Sequence, residues 1–522
     1  MTKLSEILNL CQKIVSSIGQ TKLDKGKTVS QMFTINNIPY WDVFASELSS
    51  RYFPEVLEKT DFFINLNYVL KPHLVNFRKF ISDKKCIRKK ESNEFSTHLS
   101  NRILCLEFMP QQGRDVMQPV VKALCKNKDV DVLILRERVE NLNKSDILLN
   151  LSIKSIWNFW NKDLEEISQQ TIKEFKLIRK KFYKKDILKK TNYCNDFNFK
   201  NRLLRATYRF FFGEFGGLIR RGVISKSIIE KYKPSLLIIT DINDPRTRIY
   251  MLLCNRLGIP CLHLQHGLTN SMCTEWNYFS ANKVVVWGDY FKKILISHGI
   301  SKSSIHVTGA PRSDLLFNLK SNDPLILRNQ LGIPKNAPLV LLASTFSLGS
   351  YDQLAKDKHI LIEMKKAIFD IINRLDNVYL IVKPHPEENE KQTKDLVKRN
   401  DRIIFLDKKM DIKPYTNICD CFISFGSTTT MDAILLDKLV LCPAFPGWIW
   451  SDTCIDTGTV YFPNSYDEIF NILQKVSRSD HHKMIGSLDF NKKKFVSNWF
   501  YKFDGKSSNR ISRIALNMIK AN

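Results

Sequence analysis

Long apolar runs are missing from this chain. No stretch approaches 18 consecutive apolar residues, so no membrane-spanning helix is expected. The opening "MTKLSEILNLCQKIVSSIGQ" scatters polar and charged residues throughout and lacks the uninterrupted apolar centre of a secretory signal. Paired CxxC spacing is also missing. The twelve cysteines are dispersed, and the CDC at Cys419–Cys421 falls in strand-like sequence, as expected of reduced, buried thiols in a cytoplasmic protein. Neither GxGxxG nor GxxxxGK[ST] occurs, which weakens dehydrogenase and ATPase readings. Acidic residues are the scarcer charge, 53 against 80 lysines and arginines, for a formal net charge of +27. That excess favours anionic partners. With no zinc-finger, RRM or KH signature, nucleic acid is not the expected one.

What is present is alternation. "NRILCLEFMPQQGRDVMQPVVKALCKNKDVDVLILRE" reads as strand, glycine-containing loop, helix and strand, the pattern of an α/β unit with a parallel sheet. The pattern resumes at "SLLIIT", "IPCLHLQHG", "KVVVWG" and "IHVTG", and again at "PLVLLAST", "VYLIVKPHPEE", "RIIFLD" and "CDCFISFG". A polar, proline-containing stretch at 320–338 separates the two sets and reads as an interdomain linker. The expected architecture is α/β, with two Rossmann-like domains and a cleft between them. An accessory N-terminal segment (1–98) carries a basic patch, Lys84–Glu91. An N-terminal Rossmann-like, acceptor-side domain follows (99–320) and contains a basic helical insertion at about 143–232. A C-terminal Rossmann-like domain (335–480) and a helical tail (481–522) follow.

In such sheets ligands sit beyond the carboxyl ends of strands, so residues just after strand-like runs are the candidates. Gly426, Ser427, Thr428 and Thr429 place a tight turn and three hydroxyls at the start of a helix, where free amides suit an anion. Thr429 and Asp432 equally fit a capping box that needs no ligand. "KPHPEE" holds Lys383 and His385 in a stiff turn between prolines, a cation and an imidazole suited to a diphosphate or to a leaving group needing a proton. In "LHLQHG", strand alternation sets His266 at the strand end, where a neutral imidazole can act as general base, and leaves His263 as a core residue. Arg312 in "VTGAPRSD" offers a bidentate donor for phosphate or an ion pair, and Asp314 a helix cap. Gln111, Gln112, Gly113 and Arg114 fill the first strand-to-helix loop, facing the cleft from the N-terminal half as acceptor-binding candidates. Charge on Lys173–Lys190 alternates with Phe175, Leu177, Ile178, Phe182 and Tyr183. That pattern fits an amphipathic segment on an anionic membrane or a solvated helix with an ordinary core face.

Taken in order, "QHG", Trp287-Gly288, "VTGAPRSD", "KPHPEE" and "ISFGSTTTMDAI" resemble GT-B glycosyltransferases of bacterial or archaeal surface-polysaccharide synthesis. The set is also similar to CDP-glycerol glycerophosphotransferases and, more distantly, to non-hydrolysing UDP-GlcNAc 2-epimerases. The resemblance spans about 235–445, with a weaker extension to the loop around Gly113.

It implies a nucleotide-activated donor, a nucleotide-sugar, whose diphosphate lies against Ser427, Thr428 and Thr429 with Lys383 and His385 nearby. Asp432 stands where many relatives place a ribose-binding Glu, one methylene longer. His266 matches the element that supplies a catalytic base. No cofactor and no metal are implied. The expected reaction is sugar transfer to a saccharide or lipid-linked acceptor, in the cytoplasm or at the inner face of the membrane. Glycerophosphate transfer and 2-epimerisation are the alternatives on the same fold, and a sugar-nucleotide or anionic-surface binding protein is the non-enzymatic one.

Overall fold

The computed structural model describes residues 3–53, 101–138, 150–185, 187, 197–269, 274–320, 323–345, 353–386, 388–397, 400–425, 427–446 and 457–521. Lys84–Glu91, the rest of 54–98, Glu387 and Gly426 lie outside them.

Among the described residues, twelve parallel strands build two sheets. The first holds β1 (Asn101–Leu106), β2 (Val130–Arg136), β3 (Leu151–Ser155), β4 (Leu236–Ile239), β5 (Cys261–Leu264), β6 (Lys283–Val286) and β7 (Ile305–Val307). The second holds β8 (Leu339–Ala343), β9 (Tyr379–Lys383), β10 (Ile403–Phe405), β11 (Cys421–Ser424) and β12 (Leu439–Leu441). Their spatial orders are β3-β2-β1-β4-β5-β6-β7 and β10-β9-β8-β11-β12. Both are the Rossmann order, in which the chain starts centrally, winds one way, then reverses. The reversal leaves a crevice at the carboxyl ends of β1 and β4 in one sheet and of β8 and β11 in the other.

The strands read as nearly continuous apolar runs because both faces are covered. Leu339 and Leu341 face one core while Val340 and Leu342 face another. Leu104 and Leu106 split from Ile103 and Cys105 in the same way.

The 320–338 stretch is more structured than a linker. Asp323 caps, and Pro324 opens, a helix over Pro324–Gln330, because proline's fixed φ and missing N–H suit the first helical position. The buried Arg328 guanidinium ties this helix to Ile418 O, Ala337 O and the Asp420 carboxylate. The last helix, Ser507–Lys520, returns to the first sheet, where Ile511, Ala515 and Met518 pack with Ile103 and Val120. Asp314, in the first turn of the helix Pro311–Leu319, caps that distant helix by accepting the N–H groups of Ser507 and Ser508 at 2.9 and 2.7 Å. Two motif glycines make room for the return. A Cβ on Gly288 would lie 2.2 Å from Asn498 O, and one on Gly309 would lie 2.4 Å from Ser507 Oγ.

The described residues of the N-terminal segment (3–53) and of the basic insertion form one aromatic core. Phe33 meets Phe175 and Phe211 at centroid distances of 5.2 and 5.5 Å. The apolar face of the helix Lys162–Lys184 is therefore spent inside the protein, with Phe175, Ile178 and Phe182 buried and Lys173, Lys176, Lys180 and Lys184 facing solvent. Among the described residues no helix is long and apolar enough to cross a membrane.

Candidate active site

The first crevice gathers Gln112, Thr240 and His266. Gln112 lies in the opening turn of a helix rather than in a loop, because Pro110 starts the helix directly after Met109. The helix then widens over Gly113–Met117, with the Gln118 N–H reaching back to Gly113 O. Such single wide turns recur at functional sites. Gly113 is buried against Glu107: a Cβ there would come 2.3 Å from the Glu107 carboxyl carbon. Glu107 in turn pairs with Arg136 at 2.7 Å. Arg114, the remaining acceptor candidate, is exposed.

Thr240, at the carboxyl end of β4, links both sides of the crevice. Its hydroxyl donates to Gln112 Oε1 at 2.9 Å, and its carbonyl receives two imidazoles. His266 Nδ1 lies 2.5 Å from Thr240 O, and His263 Nε2 lies 3.3 Å from the same atom. A carbonyl oxygen only accepts, so Nδ1 of His266 carries the proton and Nε2 is the basic nitrogen. β5 ends at Leu264, so the alternation expected as far as His266 stops two residues early, and the turn brings His266 back to the carbonyl that His263 uses. Gln265 sets that turn. Its Oε1 accepts the Trp287 N–H and its Nε2 donates to Gly267 O, each at 2.9 Å, while Trp287 Nε1 donates to Gln265 O at 3.0 Å. "QHG" and "WG" are thus one structural unit, joined by Gln265, whose role depends on a contact 22 residues away that its neighbours in sequence do not show.

His263 is buried edge-on against Trp276, and burial, aided by the nearby charge position of His266 and opposed by Asp241, pushes its pKa down to about 3. The folded protein therefore keeps this ring neutral down to about pH 3. The unfolded chain takes up the proton near the ordinary histidine value of about 6.5. Between those values the unfolded state binds one more proton, so stability falls with falling pH by about 1.4 kcal/mol per unit. Urea titrations at about pH 7.5 and 5 should show wild type losing roughly 2 kcal/mol more than His263→Phe. Equal losses would mean that the ring titrates normally in the folded state.

In the second crevice the seven-residue helix Thr429–Leu435 follows β11. Ser427, Thr428 and Thr429 are half-buried, and Ser427 Oγ receives the Thr429 amide and hydroxyl at 3.3 and 3.1 Å. The hydroxyl cluster is internally organised, and Asp432 takes no part in it. Asp432 is wholly buried and pairs with Arg312 from the other half of the molecule. The two residues expected on the donor's ribose and phosphate therefore hold each other. Beside them Lys413 pairs with Asp115 at 2.6 Å, also buried and also between halves. Lys383 turns inward as well, its ammonium on Pro384 O and Lys408 O at 2.9 Å each. Burial lowers its pKa against the opposing pull of Asp407 and Asp411.

His385 is half-buried just beyond β9. Its N–H donates to Glu388 Oε2 at 3.0 Å, and its carbonyl accepts the Glu388 N–H at 2.9 Å. Glu388 and Lys365 carry no mark in the sequence, and it is their buried ion pair at 2.7 Å that brings them to this site. Among the described residues no cluster of His, Cys, Asp and Glu is placed to hold a metal ion.

Two Rossmann-type sheets with their crevices bridged by the helices that follow them define a GT-B-like protein. Solved structures share this fold: S. aureus MnaA with UDP (14% identity, TM-score 0.51, 80% of this chain and 98% of that one); a UDP-N-acetylglucosamine 2-epimerase from Listeria monocytogenes described as putative (16%, 0.51, 80% and 96%); and the UDP-GlcNAc 2-epimerase of Neisseria meningitidis bound to UDP-GlcNAc (14%, 0.50, 80% and 100%). More particularly, residues 265–517 match the family model described as CDP-Glycerol:Poly(glycerophosphate) glycerophosphotransferase. No curated protein matches the chain in sequence.

Proposed function

We propose that the protein transfers a glycerophosphate unit from a CDP-activated donor to an acceptor hydroxyl in the synthesis of a surface polymer. The observation that carries this reading is the extent of the family match, which begins one residue before His266 and takes in His385 and Ser427–Thr429. It replaces sugar transfer, the first expectation, with the alternative on the same fold.

In this reaction the acceptor oxygen attacks the phosphorus that bears glycerol. A new P–O bond forms, the bridging P–O bond of the diphosphate breaks, and CMP departs. His266 Nε2 takes the acceptor proton, with its ring held by Thr240 O. Gln112 and Arg114 line the acceptor side. Ser427, Thr428 and Thr429 face the departing phosphate, and His385 supplies its proton. Positioning and charge stabilisation supply most of the catalysis in phosphoryl transfer. Arg312, Asp432 and Lys383 serve as the scaffold beneath the site.

The leaving group tests the proposal directly. With CDP-glycerol and a glycerophosphate-terminated acceptor, CMP should accumulate and the acceptor should gain one glycerol phosphate. Release of a nucleoside diphosphate from a nucleotide-sugar, with no CMP from CDP-glycerol, would restore the sugar-transfer reading.

A further inference from the structure

Pro384 and Pro386 carry no N–H, so His385 supplies the one main-chain donor of the "PHP" turn. Glu388 takes it. The Glu388 carboxylate is buried, and its other oxygen accepts from Lys365 Nζ at 2.7 Å, Ser344 Oγ at 2.8 Å and Thr393 Oγ1 at 2.5 Å. Lys365 Nζ donates again to Thr345 O at 2.7 Å. Ser344 and Thr345 are the first residues beyond β8, and 384–388 the first beyond β9. One buried ion pair therefore ties together two strand exits, one of them at the crevice itself. A carboxylate accepting four hydrogen bonds, one of them from the residue assigned to the leaving group, is a more elaborate arrangement than a surface turn requires.

We propose that Glu388 is the positioning residue for His385: through the main-chain N–H it fixes the direction of the imidazole toward the departing phosphate, and through Lys365 and Ser344 it locks that turn to the floor of the donor crevice. This rests on the functional reading above, in which His385 serves the leaving group. Gln at 388 keeps the shape but replaces one acceptor oxygen with an NH₂. If its remaining oxygen stays with Lys365, Ser344 and Thr393, a donor then faces the His385 N–H.

The test uses the full-length protein with CDP-glycerol and a glycerophosphate-terminated acceptor, following CMP release. Glu388→Gln should lower kcat by about 10²-fold through misplacement of His385 while KM for the donor stays within a few-fold. Because that variant leaves Lys365 as an unbalanced buried cation, its melting temperature should fall as well. Lys365→Met combined with Glu388→Gln removes the imbalance and should recover the melting temperature without recovering kcat. Adding Glu388→Gln to His385→Ala should cost nothing more, because the first acts through the second. Recovery of kcat together with stability in the paired variant, or additive losses with His385→Ala, would overturn the positioning role and leave the functional reading intact. A His385→Ala enzyme turning over like wild type would overturn the positioning role together with the assignment of His385 to the leaving group, while its CMP release would leave the glycerophosphate-transfer reading standing.

Discussion

Alanine at His266 is expected to lower kcat by about 10²–10⁴-fold, the range of a lost general base, with little change in KM for the donor. The expectation follows from the hydrogen bond that fixes the ring. Nδ1 is committed to Thr240 O, so Nε2 is the ring nitrogen left for the acceptor proton. Thr240 O keeps a second donor in His263, and removal of His266 therefore leaves no buried acceptor unpaired. The fold should survive, and melting temperatures of wild type and His266→Ala should agree within a few degrees. Initial rates of CMP release at saturating donor measure the effect. A loss below about tenfold would remove His266 from the role of base and shift attention to groups on the Gln112 side of the crevice. Asparagine is the informative companion, since its amide can restore the contact to Thr240 O but cannot take a proton. It should be as slow as alanine.

Much of this site could be read in the sequence because its motifs are local. "SLLIIT" and "PLVLLAST" are apolar on both faces, and strands so covered lie inside parallel sheets. Residues that follow strands of this kind necessarily reach the carboxyl edge, which makes His266 after β5, His385 after β9 and Ser427 after β11 candidates. What escaped has its cause at long range. Asp432 reads as a helix cap or a ribose ligand from its neighbours, but its partner Arg312 is 120 positions away. Asp314 reads as the cap of its own helix, yet it caps one beginning 193 residues later. Nothing in the string "PEE" marks Glu388, and its role comes only from burial beside Lys365. Proline misled twice in one direction. Pro110 and Pro324 read as loop and linker, and both stand at the first position of a helix, where proline is at ease.

The ion pairs that join the two halves give the second large effect. Arg312 projects from the helix Pro311–Leu319, which follows β7, and Asp432 from the helix that follows β11. Burial works against the guanidinium's charge, but the Asp432, Asp115 and Asp411 carboxylates together hold its pKa above the ordinary value. Asp432→Asn leaves that cation buried opposite a neutral amide, a change expected to cost about 3–5 kcal/mol. Replacing both residues by apolar ones of similar volume, Arg312→Met with Asp432→Leu, should restore most of the loss, because a buried pair contributes little beyond what it needs to be desolvated. A double-mutant cycle in urea measures the coupling. Additive losses would mean that each side chain acts alone. Stability is only half of the expectation. The second of these helices opens at Thr429, and Asp115 and Lys413 connect the helical turn after β1 to the other half. The restored double variant should therefore be stable yet bind donor and acceptor less cooperatively, since apolar contact in place of the Arg312–Asp432 pair, beside the remaining Lys413–Asp115 pair, permits angles between the halves that the two pairs together forbid. Matching stability with an unchanged KM for both substrates would show that the pairs hold the halves together without setting the geometry of the cleft.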